Sequence, residues 1–409
     1  MNLHRNFAFG STVRGFFLTR PRWESNFPVF LNESQTSIRL NIYRAKYATA
    51  WTQVFLLFFC SVMMINLTSC TQSGRGKGHQ SEMSPGPSGG FLDRDYRLPI
   101  VWLESRGQYS DPGDYARLLT FGGRKRFYEV HIPPQYRVNK GKDNQYPLVL
   151  ALHGGGGNPG VIRYETRMND VSDRTGFIVV YPAGTGVGSY DRILYWNSGP
   201  LHKDASQRDV DDVQFIARVL DDVSAFFSID PSRIYATGLS NGAQMSFRLA
   251  SELSDRISAI GPVAGDRTIG QFFGAPPRPF PVIAFHGKQD TYLSFNGGEP
   301  TKTAFEALSR IPVAETIKGW VIQAGGSPDK PEITTKGHAV RYHYEPKSSQ
   351  GTEVDFWVLE DGGHTWPGGQ TTKIEAFAGV GHINQDIFAS EVMWEFFQRH
   401  RLPPRLRDR

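Results

Sequence analysis

Cysteine is nearly absent from this chain. Of 409 residues only Cys60 and Cys70 are cysteines, and both precede residue 71. The rest of the chain can hold no internal disulfide and no thiolate metal site. Excess charge is missing from the same part. The formal net charge of +5 sits entirely in residues 1–70, which carry seven Lys or Arg against two acids, while the remaining 38 basic and 38 acidic residues cancel. A body without net charge exerts no general pull on nucleic-acid phosphates, so no nucleic-acid partner is expected. Internal repeats are absent. With 39% hydrophobic and 21% charged residues, the composition excludes a disordered, collagenous or polytopic membrane protein. The 43 glycines and 26 prolines point to many turns rather than a helical bundle.

The N-terminal region reads as an export signal. No charge occurs from Tyr47 to Gly74, and Arg44 and Lys46 stand just before that stretch. Its apolar core, Val54–Ile65, is about a dozen residues long. A membrane-spanning helix needs ~20, whereas a basic segment followed by a short apolar one is a signal-peptide pattern. Leu67-Thr68-Ser69-Cys70 follows and resembles the bacterial lipoprotein box, in which the cysteine becomes the lipidated first residue. An uncleaved anchor helix is the alternative. Residues 1–70 are thus expected to be a signal region. Residues 1–40 fit neither a signal nor a domain, and a start placed too far upstream is the simplest explanation. Residues 71–97, rich in Gly, Ser and Pro, read as a flexible tether. The expected location is outside the cell, lipid-anchored to the outer face of a bacterial membrane or secreted, with membrane contact only through that anchor.

From residue 98 the pattern changes. Arg126–Ile132 alternates like a strand, and Tyr146–Leu152 and Phe177–Tyr181 are continuous apolar runs, as in strands buried on both faces. Asp209–Phe227 has helical spacing and acids at its start, where they favour the helix dipole. Asp209, Asp211 and Asp212 are read as caps rather than metal ligands. Further strands are expected at Arg233–Thr237, Ile257–Val263, Pro281–His286, Val340–Tyr344 and Glu353–Leu359. Helices are expected at Asn241–Leu253, Pro312–Ala324 and Gln385–His400. Such alternation predicts an α/β domain, 98–401, with a mostly parallel sheet covered by helices on both faces and a short basic tail at 402–409.

Three predicted strand ends carry reactive residues. Gly238-Leu239-Ser240-Asn241-Gly242 lies between a strand and a helix. Small neighbours suit a serine on a strained strand-to-helix turn, though a serine N-cap would read similarly. Leu152-His153-Gly154-Gly155-Gly156-Gly157-Asn158 ends another strand. Its glycines allow close backbone approach, so the N–H groups of Gly154 and Gly155, with that of Asn241, are candidates for an oxyanion hole. His153 is read as holding this loop. A phosphate loop would want Gly-Lys-Ser/Thr after the glycines, and Asn158-Pro159 stands there instead. Asp290 follows the strand ending in His286, and His364 sits between glycine pairs in Gly362–Gly369. The order Ser240, Asp290, His364 is that of a nucleophile, an orienting acid and a general base. His382 competes as base, and Asp361 and Asp355 compete less well as acid. Trp196 and Trp366 are candidates for lining a substrate cleft. No ligand spacing suggests zinc or another metal, and no cofactor is expected.

Taken together, these motifs resemble the secreted polyhydroxybutyrate depolymerase and feruloyl esterase family of α/β-hydrolases. The resemblance is carried by LHGGGGN (152–158), YPAG (181–184), DVDDVQFI (209–216), IDPSRIYATGLSNGAQMSFRLA (229–250), FHGKQD (285–290), GGHTWPGG (362–369) and WEFFQRH (394–400). Ala243 departs from it, since members often carry a second glycine there. The resemblance implies an α/β-hydrolase fold and an exported serine esterase acting through Ser240, His364 and Asp290 on esters of a polymer or oligomer. Acetylxylan esterase and serine peptidase are alternatives on the same fold. A non-catalytic alternative is an inactive hydrolase fold used as a surface binding module.

Overall fold

The computed structural model describes residues 101–103, 111–137, 145–187, 190–199, 210–267, 273–298 and 311–403. The signal region, Cys70, the tether, Asp209 and residues 404–409 lie outside the described residues.

One sheet of eleven strands organises the domain. In chain order its strands are β1 (Val101–Trp102), β2 (Gly113–Phe121), β3 (Arg124–Ile132), β4 (Tyr146–Leu152), β5 (Ile178–Pro182), β8 (Ile229–Leu239), β9 (Ala259–Val263), β10 (Val282–Gly287), β11 (Glu332–Lys336), β12 (Ala339–Tyr344) and β13 (Val354–Leu359). A separate hairpin consists of β6 (Thr185–Val187) and β7 (Tyr190–Tyr195). The spatial order is β1-β2-β3-β5-β4-β8-β9-β10-β13-β12-β11. The central run from β5 to β13 is parallel throughout, and antiparallel strands flank it on both sides. This mostly parallel sheet, covered on both faces, is the α/β-hydrolase fold.

The helices are α1 (Pro159–Thr166), α2 (Met168–Thr175), α3 (Asp212–Phe226), α4 (Asn241–Glu252), α5 (Val313–Gln323), α6 (Lys373–Ala378) and α7 (Ala389–Phe397). Alternation along the strands feeds two cores. Leu148, Leu150 and Leu152 of β4 join side chains of α3, α4 and α5, whereas Val149 and Ala151 join α1, α2 and α7. That two-sided burial is why β4, β5, β9 and β10 read as unbroken apolar runs. Chain order reverses between β5 and β4, and β8 lies on β4's other side. Loops leaving β4 and β8 therefore diverge at the carboxyl ends of those strands. In open α/β sheets this is the place where ligands bind.

The sequence-based elements recur with shifts. The final helix begins at Ala389 rather than Gln385. Asn384 and Asp386 bond to each other's neighbourhood (Asp386 N–H to Asn384 Oδ1, 3.2 Å), which competes with helix formation. Strand β2 was not expected, although Phe121-Gly122-Gly123-Arg124 carries a hairpin signal. Both glycines take positive φ, 55° and 72°, as a two-residue hairpin turn requires.

On the α7 side, Trp394 stacks on Phe177 with centroids 4.3 Å apart and meets Tyr235 edge-on at 6.4 Å. Trp394→Ala is expected to lower unfolding free energy by about 3–5 kcal/mol in urea denaturation, the usual cost of emptying an aromatic core site.

Candidate active site

Ser240 alone joins β8 to α4. Its backbone sits at φ 57°, ψ −116°, which side-chain-bearing residues rarely adopt. Holding it there costs on the order of 1–3 kcal/mol. The surroundings enforce the geometry. Ser240 N–H donates to Val263 O (2.9 Å), and Ser240 O accepts from Gln244 N–H (3.0 Å). The first turn of α4 presses so closely on the end of β4 that a methyl on Gly242 would overlap the carbonyls of Leu152 and His153. A methyl on Gly238 would strike the Gly242 backbone. Ala243 is accommodated because Gly265 faces it without a side chain. The N-cap alternative fails, since the Ser240 side chain makes no capping hydrogen bond.

Asp290 and His364 meet beyond the ends of neighbouring strands β10 and β13. His364 Nδ1–H donates to Asp290 Oδ2 at 2.7 Å. Asp290 Oδ1 accepts the backbone N–H of Tyr292 and of Leu293, each at 2.8 Å. Burial would raise the Asp290 carboxyl. The charge and hydrogen bond of His364, then His286 and the Leu293 N–H, override it and hold Asp290 below the ordinary carboxylate range. Burial likewise pulls the His364 imidazole down, but Asp290 and Glu375 override it and hold His364 above its ordinary value. Because Nδ1 carries the shared proton, Nε2 keeps its lone pair and can accept one. The Tyr292 ring stacks on the imidazole at 5.2 Å. The Ser240 hydroxyl makes no hydrogen bond to His364 here; bonds of this kind often tighten only with substrate bound.

The competitors go elsewhere. His382 is 60% exposed and faces Asp361 at 3.3 Å. Asp355 is occupied by His343 and Arg341, and Asp361 by Asn384.

The glycine loop lies beside Ser240. A Cβ on Gly154 would stand 3.7 Å from the Ser240 Cβ, and one on Gly155 would stand 3.6 Å from the Asn241 Cβ. Gly155 must stay bare, because its Cβ would come within 2.9 Å of the Tyr195 ring. Asn241 is the first residue of α4, which places its backbone N–H in the helix's N-terminal turn beside the glycine loop. His153 holds the loop. Its Nδ1–H donates to Gly154 O (2.8 Å) and its Nε2 accepts the Gly184 N–H (2.9 Å). Burial, with Arg126 nearby, depresses its pKa to about 4, so it stays neutral.

Both cleft tryptophans require correction. Trp196 is fully buried; its indole N–H donates to His153 O (3.0 Å), and its ring lies against the His153 imidazole. Trp366 is 1% exposed and donates to Ser390 Oγ (3.0 Å). Neither presents a face to solvent, so both are packing residues. Sequence reading also missed the Asn241 side chain. Its Oδ1 accepts the Trp196 backbone N–H (2.7 Å), and its Nδ2 donates to Trp196 O (3.1 Å) and Ser198 Oγ (3.0 Å). An asparagine directly after the elbow serine was the available signal. Asp211 caps α3 as expected, accepting the Gln214 N–H. Asp212 instead is fully buried against Arg126 at 2.6 Å and accepts the Asn197 N–H. Two His/carboxylate clusters that sequence spacing does not reveal are assembled by the fold, at His338, Asp361 and Asp386 and at His343, Glu353 and Asp355.

Fold and elbow together define an α/β-hydrolase. Residues 127–274 match the family model described as esterase PHB depolymerase. The chain is 31% identical over 320 residues to poly(3-hydroxyalkanoate) depolymerase C of Paucimonas lemoignei, covering 74% of this chain and 73% of that protein. It is 28% identical over 288 residues to putative esterase NocK of Nocardia uniformis subsp. tsuyamanensis, covering 67% and 80%. Feruloyl esterase B of Piromyces equi is 31% identical over 172 residues, 41% of this chain and 31% of that protein. The chain belongs to the esterase PHB depolymerase family and is a carboxylic ester hydrolase.

The His364 titration is open to direct measurement. By NMR its midpoint is expected above the ordinary histidine value near 6.5. Asp290→Asn removes the charge that favours the imidazolium and leaves burial unopposed, so the midpoint should fall below that value. An unmoved midpoint would show that Asp290 does not govern this ring.

Proposed function

We propose that this protein cleaves carboxylic esters of a polymer or its oligomers through an acyl-enzyme, with Ser240 as nucleophile, His364 as general base and Asp290 as the group that orients it. The observation that carries this reading is the strained, half-buried Ser240 on the same sheet edge as the Asp290–His364 pair. His364 Nε2 takes the Ser240 proton as Oγ bonds to the ester carbonyl carbon. The oxygen that becomes negative is met by the N–H of Asn241 and by those of Gly154 and Gly155. His364 then returns its proton to the departing alkoxide. Water, deprotonated by the same nitrogen, displaces the acyl group and regenerates Ser240. Asp290 stabilises the transient imidazolium without taking its proton.

Ser240→Ala should reduce ester hydrolysis by about 10⁶-fold while leaving the far-UV spectrum and thermal midpoint unchanged. Retained turnover in the folded variant would remove Ser240 from the nucleophile role and leave the binding-module reading standing. The wild-type protein should hydrolyse p-nitrophenyl acyl esters and spare p-nitroanilides, the reverse marking a peptidase. Release of soluble product from polyhydroxybutyrate, feruloylated xylan or acetylated xylan then identifies the acyl group.

Export belongs to the same proposal. The Val54–Ile65 core, the Leu67–Cys70 box and the Gly/Ser/Pro tether favour acylation of Cys70 and a domain tethered beyond the membrane. One acyl chain holds a protein only marginally, and two or more hold it stably. Mass spectrometry of the mature N-terminus should find acylated Cys70. Cys70→Ser should release soluble protein or leave the signal uncleaved. A mature chain starting upstream of Cys70, or carrying Cys70 unmodified, would contradict the anchor.

A further inference from the structure

We propose that Arg267 is a positioning residue for ester cleavage: its buried guanidinium, acting through Ser198 and Gln244, holds Asn241 and so fixes the oxyanion hole. This rests on the reading of the Asn241 N–H as an oxyanion donor. Arg267 is 2% exposed, so it touches no substrate and acts only through its neighbours.

A strained turn delivers it. Ala264, directly after β9, sits at φ 48°, a value that side-chain-bearing residues rarely adopt. Its N–H donates to Phe285 O (2.8 Å). The next residue, Gly265, lies against the elbow: a Cβ there would stand 2.4 Å from the Ala243 Cβ and 3.0 Å from Ser240 O. Asp266 and Arg267 are thereby brought to the first turn of α4. Backbone strain of this kind clusters where a site must be held in one geometry. The Trp320 indole N–H, from α5, donates to Arg267 O (3.1 Å) and pins the segment.

The guanidinium fork then joins separate segments of the chain. Nε donates to Ser198 O and Nη2 to Ser198 Oγ, each at 3.3 Å. Nη2 also donates to Gln244 Oε1 (3.1 Å), and Nη1 to Asp266 O (3.3 Å). Ser198 passes the grip on. A hydroxyl has one proton and two lone pairs. Here Oγ donates to Gln244 Oε1 (3.3 Å) and accepts from Arg267 and from Asn241 Nδ2 (3.0 Å), so its capacity is filled. Gln244 closes the loop, its side-chain amide donating to Asp266 Oδ1 (3.3 Å) and its backbone N–H to Ser240 O (3.0 Å). Asn241 and Gln244, both in the first turn after the serine, are thus tied to one buried cation.

A cation is a costly means of packing. Burial pulls the Arg267 pKa down to about 10 even though the Asp266 charge raises it, and the group stays protonated at neutral pH. An apolar side chain of similar volume could fill the space without that penalty. What the guanidinium adds is a planar fork with fixed donor directions, which a lysine ammonium lacks. Oxyanion donors act at fixed distances, and a misplacement of about 1 Å can cost about 100-fold in rate. Holding Asn241 is where such a fork bears on turnover.

The test is the kinetics of Arg267→Met and Ser198→Ala in the full chain with p-nitrophenyl butyrate, together with inhibition by an alkyl trifluoromethyl ketone. Ser240 Oγ adds to the carbonyl carbon of that ketone, the serine proton passes to His364, and the ketone oxygen is left anionic in the hole. Both variants should lower kcat by about tenfold or more, keep KM within about threefold, and weaken binding of the ketone in proportion to kcat/KM. Ser198→Ala removes one oxygen atom and should keep the wild-type circular dichroism, so it decides the matter should Arg267→Met fail to fold. Unchanged kcat in folded Ser198→Ala, a loss confined to KM, or undiminished affinity for the ketone would each overturn the proposal. Ser240→Ala, measured alongside, keeps the two readings apart. Turnover surviving in that variant would overturn the mechanism and the role of Arg267 with it, whereas an inactive Ser240→Ala beside a fully active Ser198→Ala would overturn the role of Arg267 alone.

Discussion

The site depends on the contact between the first turn of α4 and the end of β4. Gly242 lies against the Leu152 and His153 carbonyls with no room for a methyl group. That approach forces Ser240 into its positive-φ turn, sets Asn241 beside Gly155, and fixes how far the glycine loop stands from the serine. The strain is on the order of 1–3 kcal/mol. α4 buries Met245, Phe247, Leu249 and Ala250, and a single large apolar side chain contributes about 1.5–3 kcal/mol on burial. The helix is therefore anchored by several times the energy stored in the turn. Strain at Ser240 persists because relaxing it would mean withdrawing a helix from the core.

A buried polar network fixes the other half of the site. His153, Trp196 and Asn241 come from three distant parts of the chain and satisfy one another's donors and acceptors. Leaving one such group unpaired costs about 1–3 kcal/mol. This makes the loop after β4 rigid even though four of its residues are glycine. The two aromatic residues that looked like cleft walls, Trp196 and Trp366, serve this kind of positioning. An indole supplies volume and one well-directed N–H, and in both cases the N–H finds a buried acceptor.

The central strands were legible because burial on both faces leaves unbroken apolar runs, as in Tyr146–Leu152. The elbow was legible because backbone packing dictates its glycines. What escaped the sequence reading has a common character. The partners of Trp196, Asn241 and Asp212 lie 15 to 45 residues away or further, so no local pattern records them. The helix boundary near residue 389 was misread because Asn384 and Asp386 turn the chain with their side chains, which apolar periodicity does not register. The two His/carboxylate clusters were invisible for the same reason as the network: strand pairing, not spacing, brings their members together.

The two ends of β13 show how one sheet separates stability from chemistry. At its start, Asp355 and Glu353 are matched by Arg341, His343, Arg399 and His400. Burial would raise Glu353, yet His400 and Arg399 outweigh it and bring its pKa to about 2. Every carboxylate there already has a fixed cation, so that end ties β12, β13 and the chain after α7 together. At its finish Glu360 pairs with Lys288, but two other carboxylates face imidazoles and amides: Asp290 faces His364, and Asp361 faces His382 and Asn384. Imidazole can give up or accept a proton near neutral pH and guanidinium cannot. The arginines thus leave one edge of the sheet chemically fixed, while the Asp290–His364 pair at the other edge can exchange a proton.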